Sequence, residues 1–310
     1  MGALCQDWKP TLKFLGVQNG VSDSHTNAFF MPDEETFVLV DLSLLNARKA
    51  ERLILSKPGL KNFYACVTHN HYDHASGFGL FAFAVKVHFP GCILKVIVDE
   101  RIAAETTAHF DSEGLRSLHD DKLYELYMIR HTPKLEPDRR PYGHGELGKP
   151  EQIESVFCRY NSQRDYGIPV PSERPEWLLD TIPTEHSQRL SGASGFVFHV
   201  CGHLIVYSGD TNTLEPYMKF FDEKMLGRRS YLSEFYLESA MRQSSRHLYF
   251  PEISAELERL LERYSGLKVI LMHYDDRAKL RKAVLEQIVC CSQITLAEPA
   301  VIGLQFTPDK

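Results

Sequence analysis

The sequence has no long hydrophobic run, few cysteines and no excess of positive charge. Its longest purely apolar runs, such as 80–85 and 269–272, are far shorter than the ~20 residues that a transmembrane helix needs, so we expect no membrane partner. The seven cysteines form no Cys-x-x-Cys pair, which argues against a zinc ribbon or a disulfide framework. With 35 Lys and Arg against 41 Asp and Glu, the formal charge is −6, which argues against a protein that grips nucleic acid along a broad face.

Internal repeats and low-complexity tracts are also absent from the sequence, and its first residues lack the apolar core of a secretory signal. We therefore expect a cytoplasmic globular protein. A chain of 310 residues buries roughly three quarters of its unfolded surface, so it needs no disulfide or structural metal to hold a core. The oligomeric state stays open, with a homodimer as the usual expectation for an oligomer.

Short apolar strands alternate with amphipathic helices along the chain, which is typical of an α/β protein. The predicted strands are 12–17, 27–31, 36–41, 62–68, 93–99, 178–184, 195–200, 203–208 and 267–272. The predicted helices are 46–55, 75–85, 100–109, 215–221, 253–264 and 276–290. The stretch 131–174 is rich in proline and glycine and has equal numbers of positive and negative charges. We interpret it as an insertion or long loop within a single domain that spans 1–310.

A dense histidine cluster, His69-Asn70-His71-Tyr72-Asp73-His74, follows the predicted strand 62–68 directly. Three imidazoles and one carboxylate at a strand end can converge on one point and bind a metal ion; the alternative is a solvated polar loop. His186, Asp210 and His273 stand at the ends of three further predicted strands. Each of them alone is typical of a core or capping residue, but together they predict metal ligands at one edge of a sheet.

With these motifs the sequence resembles the metallo-β-lactamase-fold hydrolase superfamily over about residues 12–275. The resemblance implies an αββα sandwich, in which two mixed β-sheets are flanked by helices, with a two-metal site at one edge. Asp41 matches the early buried aspartate of that superfamily. The implied ligands are His69, His71 and His186 for the first ion, Asp73, His74 and His273 for the second, and Asp210 as the bridge between them. We expect two divalent ions, zinc first, with manganese or iron also compatible with such ligands, and a hydroxide held between the metals.

Within that superfamily the later motifs resemble the RNase Z and related phosphodiesterase branch, on the strings Pro183-Thr184-Glu185-His186 and Ser208-Gly209-Asp210-Thr211. That branch uses a glutamate and a histidine to protonate the leaving oxygen, and Glu234 and His247 occupy comparable places. The resemblance also implies that Asp73 orients or deprotonates the attacking water. The strings around Glu234 and His247 depart from the branch's pattern, so a solvated surface carboxylate is the alternative for Glu234.

The substrate prediction depends on charge. The RNase Z branch clamps tRNA with a basic arm, whereas 131–174 is neutral overall. The sequence therefore favours a small or cyclic phosphodiester or nucleotide over nucleic acid. The alternatives are a tRNA 3′-processing endonuclease, a lactone or thioester hydrolase, and a metal-binding protein without catalysis. Arg139-Arg140 and Arg228-Arg229 are candidates for phosphate binding, unless they are solvated pairs, and His25 is a candidate pocket residue.

One further motif resembles a dinucleotide-binding fingerprint. The run Gly77-Phe78-Gly79-Leu80-Phe81-Ala82 has the G-x-G-x-x-A spacing, and Asp99 ends a strand further along. In that fingerprint the first glycine directly follows a strand, but here the histidine cluster intervenes. The sequence therefore argues against a Rossmann oxidoreductase.

Overall fold

The computed structural model describes residues 11–18, 24–112, 123–133, 153–160, 169–186, 190, 192–200, 202–224 and 232–300. These residues form two β-sheets. The strands of the first sheet lie in chain order: β1 (Lys13–Gly16), β2 (Asn27–Asp33), β3 (Thr36–Val40), β4 (Asn62–Cys66), β5 (Leu94–Asp99), β6 (Tyr124–Pro133), β7 (Ile153–Tyr160) and β8 (Val170–Pro171). Across the second sheet the order is β14 (Ile294–Leu296), β13 (Lys268–Met272), β12 (Leu232–Glu238), β11 (His203–Tyr207), β10 (Ala193–Val200) and β9 (Leu178–Thr184).

Both sheets are mixed. Strands β3 to β6 run parallel, as do β11 to β14, while the remaining neighbours are antiparallel. Parallel neighbours need crossover connections, which are usually helical. The crossovers here contain α1 (Leu44–Leu55), α2 (Tyr72–Ala75), α3 (Phe78–His88), α4 (Ala103–Ser112), α5 (Glu215–Lys224), α6 (Phe250–Arg263) and α7 (Arg277–Gln287). The carboxyl ends of the parallel strands therefore meet at one edge of each sheet.

Two apolar clusters hold the layers together. One fills the space between the sheets, where Phe30 contacts Phe198, and continues to the buried stripe of α6 that includes Leu257. The other packs α1 and α3 against the first sheet around Phe37 and Phe81. The layers are helix, sheet, sheet and helix, so the predicted αββα sandwich is confirmed. Among the described residues, no helix is both long and apolar enough to cross a bilayer.

Of the two interpretations of 131–174, an insertion or a long loop, the long loop is wrong for 131–133, 153–160 and 170–171, which are in strands; the insertion stays a prediction. Strands β6 and β7 pair antiparallel from Leu126–Tyr160 to Pro133–Ile153, and β8 pairs with β7. The rest of that segment lies outside the described residues. Strands β12 and β14 were not predicted either. The predicted strand 178–184 forms with the predicted ends. The other predicted elements form with shifted ends, except that 75–85 is divided into α2 and α3 at Ser76 and Gly77 and that 100–109 begins with a 3-10 turn before α4.

Steric crowding explains why position 77 is a glycine. A Cβ at this position would lie 2.4 Å from the Ser43 carbonyl oxygen, so the backbone approach leaves no room for a side chain. This explains the first glycine of the apparent fingerprint without a nucleotide phosphate, and no strand precedes it directly.

Candidate metal centre

The predicted ligands come from separate elements that end at the same edge of the sandwich. His69, His71, Asp73 and His74 follow β4, and the last two belong to α2. His186, Asp210 and His273 follow β9, β11 and β13. All seven predicted metal ligands are brought together in this way, in groups that could each hold a metal ion.

The first group is formed by His69, His71 and His186. The Nδ1 atom of His71 lies 3.1 Å from His69 Nε2 and 3.1 Å from His186 Nε2. Asp210 Oδ2 lies 3.8 Å from His69 Nε2 and 3.6 Å from His186 Nε2. Three imidazole nitrogens and one carboxylate oxygen therefore face a common point.

The second group is formed by Asp73, His74 and His273. Asp73 Oδ2 lies 3.3 Å from His74 Nε2 and 3.5 Å from His273 Nε2. The other oxygen of Asp210, Oδ1, lies 3.4 Å from His74 Nε2 and 3.4 Å from His273 Nδ1. The two oxygens of Asp210 thus face different groups, which is the arrangement that a bridging ligand requires.

The spacing of these atoms fits divalent metal ions. Two ligand atoms bonded to one tetrahedral zinc ion are about 3.3–3.6 Å apart when the bonds are about 2.0–2.2 Å long, and the distances above scatter around that range. Nε2 of His74 and both ring nitrogens of His273 are buried and make no hydrogen bond to the described residues. Buried polar atoms without a hydrogen bond are costly, and a metal ion would satisfy these nitrogens.

The charges of the buried groups point the same way. Burial lowers the pKa of His69 well below its ordinary value, which keeps its imidazole neutral and able to bind a metal. Burial alone would also lower the pKa of His74, but Asp210, Asp73 and Asp41 raise it well above the ordinary value. The buried carboxylates therefore favour positive charge in the cluster, which either protons or metal ions can supply.

Residues behind the ligands hold them in place. The Asp41 carboxylate accepts hydrogen bonds from Thr68 N and Thr68 Oγ1, both at 2.8 Å, and contacts His74 Nδ1 at 2.9 Å. This contact turns His74 Nε2 toward the cluster. His186 Nδ1 donates to the Arg246 carbonyl at 2.6 Å, which leaves His186 Nε2 facing the first group.

The structure does not bring the predicted pair Glu234 and His247 together. His247 contacts a carboxylate through Nδ1, but the partner is Glu238 and not Glu234. Glu234 lies toward the other end of β12, where it accepts hydrogen bonds from Thr11 Oγ1 and Tyr236 Oη. It is 2% exposed, so it is not a solvated surface group either. Glu238 is the last residue of β12, and Asp210 and His273 follow the neighbouring parallel strands β11 and β13. The alignment of these three strand ends is the signal that would have identified Glu238.

His247 differs from the ligands in its access to solvent. Its side chain is 27% exposed, whereas that of Asp210, 3.7 Å away, is 3% exposed. Burial lowers the pKa of His247, but Glu238 and Asp210 more than offset this and raise it. The geometry therefore places an accessible imidazole beside the candidate metal centre.

A second polar network ties the two sheets together near this edge. Asp99 Oδ1 accepts a hydrogen bond from Arg101 Nε at 2.9 Å, and Arg101 Nη2 donates to the Ala193 carbonyl. Asp99 Oδ2 accepts from Thr181 Oγ1 at 3.0 Å and lies 3.5 Å from His131 Nε2. The network joins β5, β6 and β9, and β9 leads to His186.

Three other candidates are not placed in the centre. Arg139-Arg140 and Arg228-Arg229 lie outside the described residues. His25 is buried, its carbonyl accepts a hydrogen bond from Asn46 Nδ2, and it belongs to none of the metal-binding groups among the described residues.

Solved structures share this fold at low sequence identity. The short form of human tRNase Z superposes with a TM-score of 0.52 at 12% identity, covering 93% of this chain and 96% of that one. Unliganded yeast PDE1 gives 0.54 at 13% identity, covering 93% and 97%. No protein-family model and no curated protein matches the sequence. The chain has the metallo-β-lactamase fold, with His and Asp clusters able to hold metal at the edge described above.

Proposed function

We propose that the protein is a hydrolase with two divalent metal ions, zinc first, that cleaves a small or cyclic phosphodiester. When bound, the two ions supply Lewis acidity and an activated water. His69, His71 and His186 would hold one ion, and Asp73, His74 and His273 would hold the other. Asp210 would contribute one carboxylate oxygen to each group. Asp73, 15% exposed and therefore reachable by solvent, also orients the attacking water.

The observation that carries the proposal is the Glu238–His247 pair beside Asp210. Phosphodiester cleavage releases an alkoxide, which needs a proton, and a positioned histidine is the usual donor. Because Nδ1 of His247 is engaged by Glu238, Nε2 is the nitrogen that donates the proton. A lactone or thioester hydrolase makes less use of such a donor, so the pair favours the phosphodiester.

A small substrate is supported by charge. The formal charge of −6 does not suit a protein that must neutralise many phosphates. The likeness to tRNase Z keeps precursor tRNA as a substrate to be tested beside the small diesters.

The test uses the full chain loaded with zinc or manganese. We expect turnover of bis(p-nitrophenyl) phosphate and of a cyclic nucleotide, loss of turnover with chelator, and little turnover of lactones or precursor tRNA. Asp210→Asn removes the bridge, and Glu234→Gln is the matched control at the other end of the second sheet. Hydrolysis of lactones without diesters, or cleavage of precursor tRNA far above small diesters, would favour those alternatives. A metal-loaded protein inert to every substrate would favour a binding protein.

A further inference from the structure

A second cleft, of about 450 Å³, lies away from the metal centre. Its walls include Tyr64 on β4, Lys95 on β5, Tyr127 on β6 and Arg159 on β7, and the segment 172–176 covers it. Tyr64 precedes His69 by five residues, which corresponds to about 16 Å along an extended chain. The cleft is therefore separate from the residues that carry the proposed reaction.

Positive charge in the cleft is only partly compensated. Lys95 Nζ donates to Tyr64 Oη at 3.3 Å and lies 5.0 Å from the centre of the Tyr64 ring. Within the described part of the chain, no carboxylate comes within ion-pair distance of Lys95. Arg159 Nη1 lies 3.9 Å from Glu125 Oε1, and the other oxygen of Glu125 accepts a hydrogen bond from Tyr127 Oη at 2.7 Å. Lys95 and Arg159 therefore keep N–H groups for a ligand.

The aromatic walls are held by their neighbours. Tyr64 packs edge-to-face against Trp177 with ring centres 5.1 Å apart, and Tyr127 stacks on Phe157 at 5.2 Å. These contacts hold the two tyrosine rings in place, and aromatic rings pair with other flat rings in offset-stacked or edge-to-face arrangements.

The covering segment is also fixed. Arg174 Nη2 donates to the carbonyl and the hydroxyl of Ser155 at 2.7 and 3.0 Å, and its Nη1 donates to the Leu179 carbonyl. These bonds attach 172–176 to β7 and β9, so the cleft has a defined shape.

We propose that this cleft binds a small ligand in which a single anionic group, phosphate or carboxylate, is joined to a flat ring directly or through a sugar. The anion faces Lys95 and Arg159, and the ring lies against Tyr64 and Tyr127. The volume is within the range of about 300–1,000 Å³ that small-molecule sites occupy. Glu173 and Glu176 on the covering segment disfavour a polyanion, which favours one small anion over a nucleic-acid strand.

The probe is the fluorescence of Trp177, because the chain has two tryptophans and Trp8→Phe removes the other. The metal-loaded Trp8→Phe protein is titrated with AMP, with inorganic phosphate and adenosine as separate arms, and with benzoate as the carboxylate arm. We expect a saturable response to AMP that is stronger than with either fragment. Lys95→Met removes a charge-assisted hydrogen bond and should weaken AMP by about tenfold or more. Lys95→Arg should retain binding, and Lys219→Met on exposed α5 is the matched control.

Because AMP can also bind a metal centre, the titration is repeated with Asp210→Asn in the same background. A Trp177 response that survives Asp210→Asn and is lost with Lys95→Met supports the cleft. If Lys95→Met lowers the Tm, Arg159→Met is used in its place, because the Arg159 side chain is 44% exposed and its loss should disturb the fold less. The absence of any saturable response to AMP or benzoate up to about 1 mM, or an equal response in the parent and Lys95→Met proteins, would overturn the proposal.

Discussion

The loss of kcat on substitution of His247 should increase with the basicity of the leaving group, because a more basic leaving group depends more on protonation. The proposed donor is tested with two diesters that differ only in the departing group, one a p-nitrophenolate and the other an alkoxide. A positioned general acid contributes roughly 10²–10⁴-fold, or about 2.7–5.4 kcal/mol of barrier. We expect His247→Ala to lower kcat for the alkoxide diester by that factor, and to lower kcat for the p-nitrophenyl diester by less than about tenfold, because a stable phenolate leaves unprotonated.

The effect of substituting Glu238, the proposed partner of His247, follows from the hydrogen bond between them. A hydrogen bond to a charged group contributes about 1.5–3 kcal/mol, so Glu238→Gln should lower turnover of the alkoxide diester by about 10- to 100-fold. Glu234→Gln is the control on the same strand, because its carboxylate contacts Thr11 and Tyr236. That variant should lose stability and keep its selectivity between the two leaving groups.

The assay is the initial rate of the metal-loaded enzyme, with metal content measured on every variant. A leaving-group-dependent loss in His247→Ala at unchanged metal content is the expected result. An equal loss on both diesters, or a fall in bound metal, would mean that His247 acts as a ligand or a structural residue. Unchanged rates on the alkoxide diester would refute the donor role.

Three further predictions concern the metal and the polar network behind it. Asp210→Asn should reduce bound zinc from about two equivalents to one or fewer, measured by metal analysis after dialysis; retention of both ions would contradict bridging. Arg101→Gln should lower the free energy of unfolding by about 1–2 kcal/mol, less than for a fully buried pair because the guanidinium is 35% exposed; an unchanged denaturation midpoint would contradict this. Burial alone would lower the pKa of His131, but its contact with Asp99 raises that pKa above the ordinary value. The contact therefore stabilises the fold fully at a pH below the pKa of His131 in the unfolded chain. This stabilisation is lost as the pH rises through the pKa of His131 in the folded protein. His131→Gln should therefore cost more stability at pH 6 than at pH 9, and equal costs would be the contrary result.

The clustering of the candidate metal ligands was predictable because their signal is local to strand ends. The run from His69 to His74 follows a strand that any apolar pattern identifies, and Asp210 and His273 follow strands of the same kind. The carboxyl ends of parallel strands meet at one edge, so distant ligands could be placed together without knowing the packing. The bridging position of Asp210 was implied by the family resemblance alone, and in the structure its two oxygens face different groups.

The contact between Glu238 and His247 is not predicted from the sequence because the pattern of β12 does not mark it as a strand. Its sequence, Leu-Ser-Glu-Phe-Tyr-Leu-Glu, contains two acidic residues, and the family resemblance points to the first of them. Once β12 is known to be parallel to β11 and β13, the residue that ends it must lie beside Asp210 and His273. Only Glu238 satisfies that condition among the residues of β12.

The sequence pattern does not indicate strands β6 and β7, because of their composition. Along β7, exposed Val156 and Arg159 stand next to buried Phe157 and Cys158, so no clean alternation marks a strand. Prolines and glycines that follow Pro133 add turn signals to the same stretch. Polar strands near a sheet edge resemble loops in sequence.

Backbone strain is concentrated where the chemistry is proposed. Among the described residues, Asp41 (φ 58°) and His273 (φ 55°) are the non-glycine positions with positive φ, and both belong to the metal centre or its support. Such conformations cost about 1–3 kcal/mol each, and here they accompany carboxylates buried at the same edge. Asp41 is held there by hydrogen bonds from Thr68 and by its contact with His74, and the apolar layers around Phe37 and Leu257 pack on either side. The fold thus uses an ordinary hydrophobic sandwich to hold one edge in a conformation and a charge state that bound protons or metal cations make favourable.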